Sequence, residues 1–194
     1  MKYLLSKISI KTKIISMFTV ICFLVAFGIA GYEVSYKKHH INKKNFTISQ
    51  SLAFGNDTAL VTLFTLGILF YIYLLFLRGP AKYLYLRFLF LMIAFIFLII
   101  IIWVTTYKDL HLHRKFAATI FISILIYHIL TLIAFKNISK KLFYYLFLVV
   151  ILNIIVIISS EISLLNNKKQ IFAVLENTNI LIMFIVILLL GFMN

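Results

Sequence analysis

The sequence predicts an all-α fold, a single domain built as a six-helix transmembrane bundle, and three observations carry that prediction. Of the 194 residues, 64% are hydrophobic and only 12% are charged, against roughly 45–50% apolar residues in soluble domains. A soluble fold of this size still leaves about 30% of its unfolded-chain surface in water, so it has nowhere to hide that much apolar area. The apolar residues also fall into six runs, each close to the ~20 residues that a helix rising 1.5 Å per residue needs to cross a ~30 Å hydrocarbon core. A soluble enzyme and a secreted module are excluded. The single cysteine, Cys22, excludes a disulfide framework within the monomer and a cysteine-based zinc site.

The first span is expected from about Ile14 to Tyr32. Its flank carries Lys2, Lys7, Lys11 and Lys13, as a signal peptide would, but an apolar stretch of about 18 residues exceeds the roughly 7–15 of a signal h-region. A retained helix is expected, with Cys22 facing lipid. A loop of about two dozen residues follows, Glu33 to Asn56, longer than the 2–8 usual between packed helices. The second span runs from Asp57 to Leu77 and is stopped by Arg78-Gly79-Pro80. The third covers Tyr83 to Val104 and the fourth Phe116 to Phe135, closed by Lys136-Asn137. The fifth extends from Leu142 to Ser160 and the sixth from about Ile171 to Met193.

Nineteen Lys and Arg against five Asp and Glu give a net charge of +14. On a membrane protein this excess points to anionic headgroups rather than nucleic acid, since each lysine near such a surface contributes about 1 kcal/mol. Membrane lipids are therefore the expected partners, with no nucleic acid, and assembly into a homo- or hetero-oligomer is left open. With the N-terminus cytoplasmic, the inner side holds Arg78, Lys82, Arg87, Lys136, Lys140, Lys141 and the N-terminal lysines, and no acid. The outer side holds all five acids, Glu33, Asp57, Asp109, Glu161 and Glu176, with nine basic residues. Both termini are accordingly placed in the cytoplasm. The membrane would be endolysosomal or another endomembrane in a eukaryote, and the inner membrane in a bacterium.

Polar groups within the spans are the natural functional candidates, because lipid penalises them unless they are paired or face a cavity. Thr58, Thr62 and Thr65 share one face of span two, a pattern that fits interhelical packing and bonding back to carbonyls. Span four carries the stripe Thr119, Ser123, Tyr127 and Thr131, with His128 at its edge. Asn153 lies in the middle of span five, on nearly the same face as Ser160. Near the outer end, Asp57, His111, His113, Glu161 and Glu176 are the candidates for a polar vestibule that binds a headgroup or a cation. Thr62, Ser123, His128 and Asn153 would instead mark a polar path if the protein were a small transporter or channel. An intramembrane metal-dependent hydrolase is a further alternative, although the His-x-x-x-His pair of such enzymes is missing. No catalytic residue, metal ligand or cofactor is assigned.

The order of these features resembles the Frag1/DRAM/Sfk1 family of six-helix membrane proteins and related bacterial six-helix proteins. The resemblance covers most of the chain in topology and four short patches in residues. These are Ile48-Ser49 in the first loop, His111 or His113, the following Phe116-Ala117-Ala118, and Phe172-Ala173-Val174-Leu175-Glu176 opening the last span. Asn177 stands where the family usually carries Trp. The resemblance implies a non-enzymatic role in membrane lipid homeostasis or as an autophagy modulator, with the Ile48-Ser49 segment and Glu176 structural or in contact with lipid.

Overall fold

A computed structural model of the chain describes residues 9–37, 58–103, 110–166 and 169–193. The long first loop with Ile48-Ser49, and Asp57 beside it, lie outside the described residues. Six α-helices make up the described fold: α1 (Ile10–Lys37), α2 (Thr58–Arg78), α3 (Leu84–Trp103), α4 (Leu110–Phe135), α5 (Lys140–Leu165) and α6 (Lys169–Phe192). All six are long and apolar enough to span a bilayer.

Local chemistry sets several helix ends. The Ser9 hydroxyl accepts a hydrogen bond from the Thr12 amide at 3.1 Å and starts α1, and Ser139 does the same for the Leu142 amide at 3.2 Å at the start of α5. Such caps satisfy amides that a helix start leaves without partners. At the end of α2 the Gly79 amide bonds back to the Leu75 carbonyl at 2.7 Å. A side chain at Gly79 would run into that same carbonyl, and Pro80 then prevents the helix from continuing. The chain turns into α3 through Tyr83, which holds a left-handed backbone with φ of 58°, a conformation that costs an L-residue roughly 1–2 kcal/mol.

Consecutive helices pack side by side, and α6 returns to close against α1. Half of the apolar window of α6 is buried, the largest share among the six spans, which makes it the central element. The contact between α2 and α3 is the loose joint between sequence neighbours.

In lipid the helices gain little from hiding apolar surface, so packing and hydrogen bonds hold them. The α1–α2–α6 contact is aromatic: Phe23 lies 5.7 Å from Phe64 and 6.0 Å from Phe184, and Phe27 meets Phe64 edge-on at 5.1 Å. Gly67 lets the Phe23 ring lie directly on α2, at 3.1 Å from where a Cβ would sit. Farther along, Gly191 of α6 touches Ser16 of α1, whose hydroxyl donates to the Ile187 carbonyl at 2.8 Å. Ala26 is fully buried in α1, and Cys22 is buried rather than lipid-facing. The outward surface is studded with Leu, Ile and Phe, among them Leu24, Leu69, Leu148, Ile155 and Leu181. In water such a surface would aggregate; in a bilayer it is the lipid-facing wall.

Candidate functional site: a cavity with an amide and carboxyl wall

A cavity lies in the half of the bundle remote from the termini, lined by residues of all six helices. It offers about 50 Å³ to the centres of water-sized molecules, several times the ~10–15 Å³ that one water requires. Phe23, Phe27 and Phe64 form one side, Ala94, Leu98, Ile101, Ala117 and Phe121 another. The polar wall is Asn153 of α5 with Glu176 and Asn179 of α6. Glu176 and Asn179 are three residues apart and so share a helix face, while Asn153 reaches them across the α5–α6 contact. The Asn153 amide donates to the Asn179 side-chain carbonyl at 3.2 Å. That bond leaves the Asn153 carbonyl and the Asn179 amide nitrogen, both buried, without a protein partner. Glu176 is only 3% exposed. The site therefore presents a hydrogen-bond donor, an acceptor and a carboxyl group on the wall of an otherwise apolar chamber.

Among the described residues, the two carboxylates of the expected outer vestibule face different surroundings. Glu176 is buried on the cavity wall, whereas Glu161 is exposed on the surface of α5. The two belong to different helices, α5 presenting Glu161 outward and α6 presenting Glu176 inward. Asp57 lies outside the described residues. His111 and His113 fall in the first turn of α4, and their side chains are outside what is described. Among the described residues no group of three or more His, Cys, Asp and Glu is arranged to hold a metal ion.

Of the intramembrane candidates, Ser123, His128 and Asn153 are buried, but Thr62 is on the exposed face of α2. Its neighbour Thr65, also exposed, bonds back to the Val61 carbonyl at 2.8 Å. Thr62 and Thr65 thus face away from the interior of the bundle and do not join a path through it. Thr131 and Ser160 likewise bond back to Tyr127 and Val156 carbonyls, at 2.8 and 2.7 Å. His128 is fully buried with neither ring nitrogen hydrogen-bonded.

Two features escape a reading of the sequence. Asn179 is the partner of Asn153, and its same-face spacing from Glu176 was the available signal. Arg87 counts as a loop charge by position, yet it lies inside α3 and is fully buried. An arginine a turn inside an apolar span is the signal that marks it.

Fold and site together define a multi-pass membrane protein, a six-helix bundle with an internal chamber. No family model, curated protein or solved structure matches the chain.

Proposed function

We propose that the protein binds a membrane lipid or similar amphiphile within its bundle, in keeping with a role in lipid homeostasis. The observation that carries this reading is the cavity: aromatic and aliphatic along most of its wall, and polar at Asn153, Asn179 and Glu176. That distribution matches a molecule with a long apolar part and one hydrogen-bonding group, the usual composition of a ligand pocket. The loose joint between α2 and α3 lies beside the cavity walls Phe64, Phe95 and Leu98 and offers a route from the bilayer. The basic end of the bundle, with Lys11, Lys13, Lys82, Lys136, Lys140 and Lys141 exposed, is read as the cytoplasmic face.

The test is photolabelling. The full chain is purified from cells fed a diazirine fatty acid, irradiated, and the adduct mapped by peptide mass spectrometry. The reading expects adducts around Ala94, Ala117 and Met183, and expects Ala94→Leu with Ala117→Leu to abolish them without unfolding the protein. Adducts confined to outward residues such as Leu148 and Ile155 would sink it.

A further inference from the structure

The opposite half of the bundle holds a second polar group that the cavity does not use. Arg87, the fourth residue of α3, sits about 5 Å along the helix from its start at 1.5 Å per residue, and no part of it reaches the surface. One terminal nitrogen, Nη2, donates to the Pro80 carbonyl. The guanidinium lies against the α2–α3 turn, where a Cβ on Gly79 would stand only 3.0 Å from Nη2 and 3.2 Å from Nη1. The remaining donors, on Nε and Nη1, have no hydrogen-bond partner. Two more buried hydroxyls stand close by. Tyr127 of α4 lies within electrostatic reach of Arg87, and the Tyr71 hydroxyl of α2 approaches that of Tyr127. Their rings meet edge to face at 5.8 Å, yet neither hydroxyl completes a hydrogen bond.

A buried cation without an acid is costly. No acid offers itself, since Glu161 and Glu176, the acids whose side chains are described, lie in the half of the bundle remote from Arg87. What the residues present is a neighbourhood of buried donors without hydrogen-bond partners: two guanidinium nitrogens and two phenolic hydroxyls. We propose that Arg87, Tyr71 and Tyr127 form a buried oxyanion site that takes a phosphate group. A tetrahedral phosphate carries enough acceptor lone pairs for all of these donors, and arginine is the side chain best suited to it. The level in the membrane fits, because a residue one turn inside the span lies at the boundary of headgroup and hydrocarbon. The surroundings fit too. Lys11, Lys13 and Lys82 lie over the rings of Tyr73, Phe192 and Tyr83 at 5.2, 5.9 and 5.1 Å, a belt of interfacial cations and aromatics that raises the local concentration of anions. Entry is between α2 and α3, the loosely packed neighbours that Tyr71 and Arg87 flank.

The experiment is native mass spectrometry of the full chain in detergent, titrated separately with phosphatidic acid, diacylglycerol of the same chains, and inorganic phosphate. Phosphatidic acid is expected to bind saturably and at least tenfold more tightly than diacylglycerol. Arg87→Gln is expected to erase that difference, and Tyr71→Phe with Tyr127→Phe to reduce it severalfold while leaving the unfolding temperature nearly unchanged. Displacement of the lipid by inorganic phosphate identifies a site for the phosphate group alone, and binding without displacement identifies a lipid headgroup site; either supports the proposal. Equal binding of phosphatidic acid and diacylglycerol overturns it. So does unchanged phosphatidic acid binding in the double tyrosine variant, which decides the matter even where Arg87→Gln fails to fold.

Discussion

Replacing Gly191 by alanine tests whether the central helix is held by close backbone approach. A Cβ at position 191 would overlap both Cβ and Oγ of Ser16, far inside the 3.5–4.0 Å at which carbon atoms attract. The serine hydroxyl can rotate away, but its Cβ is fixed to the α1 backbone, so α1 and α6 must part by about 1 Å. The Ser16 hydrogen bond to the Ile187 carbonyl, now 2.8 Å, is stretched by the same movement past the useful limit. Forced overpacking costs about 1–3 kcal/mol and an interhelical hydrogen bond in a bilayer about 0.6 kcal/mol, so a loss of about 2–3 kcal/mol is expected. Reversible unfolding in bicelles, followed by steric trapping, measures it. The control is Ser16→Gly combined with Gly191→Ala, which removes the obstructing atoms and should recover most of the overpacking cost but not the hydrogen bond. A Gly191→Ala protein as stable as the wild type, or a double variant no better than the single, would refute the close crossing.

Other substitutions probe the polar groups. In a double-mutant cycle with Asn153→Leu and Asn179→Leu, each single change leaves a buried amide without its partner at a cost of about 1–3 kcal/mol, and the coupling energy should be about 0.6 kcal/mol, at most ~1.7; a coupling indistinguishable from zero means that the amides do not meet. Arg78→Gln removes the charged donors to the Leu190 and Met193 carbonyls, at 2.9 and 2.5 Å, so hydrogen exchange should accelerate in the last turn of α6 and stay unchanged in α5. Thr62→Val should alter stability by less than about 0.5 kcal/mol, as for other surface changes, and a marked loss of function in that variant would restore α2 to a polar path.

The number and order of the helices follow from the six apolar runs, and the expected spans fall within a few residues of the observed helices. The larger differences run in one direction. Helix α1 starts at Ile10 rather than Ile14 and ends at Lys37 rather than Tyr32, α4 starts at Leu110 rather than Phe116, and α5 continues to Leu165 rather than Ser160. Hydropathy registers only the hydrocarbon crossing, whereas a helix keeps its backbone hydrogen bonds through the interface, where lysine stems can snorkel to water. Side-chain partners are less legible. The polarity of Asn153 in mid-membrane and of Glu176 near the start of the last span is visible in one dimension, but their meeting with Asn179 depends on how far α5 and α6 are rotated about their own axes. Thr65 illustrates the converse, because its hydroxyl bonds its own helix while the residue is exposed, and a hydroxyl so bonded can face lipid at little cost. Arg87 shows the limit of loop counting, since a basic residue five positions inside a span reads as interfacial until its burial is known.

The packing of the bundle is uneven, and that unevenness sets where a molecule from the bilayer could act. Helices α1, α2 and α6 are joined through Gly67, Gly191, the Phe23–Phe64–Phe184 rings and the Ser16 hydrogen bond, all short-range contacts with little room to shift. Helices α3 and α4 form their own well-packed pair but meet α2 over a small contact, where Tyr71 touches Phe95 and Phe76 touches Phe88 at 6.1 and 5.6 Å. The chamber reaches this boundary through Phe64, Phe95 and Leu98, with its polar wall on α5 and α6, and the group around Arg87 lies in the opposite half of the bundle. Apolar residues replacing each of these buried polar groups as a whole would remove a desolvation penalty, so stability alone gives no reason for them. The apolar side of the chamber and the Arg87 group both border the loosest joint between sequence neighbours, where little packing must be broken to admit a lipid, and that placement is the physical ground for the two binding proposals.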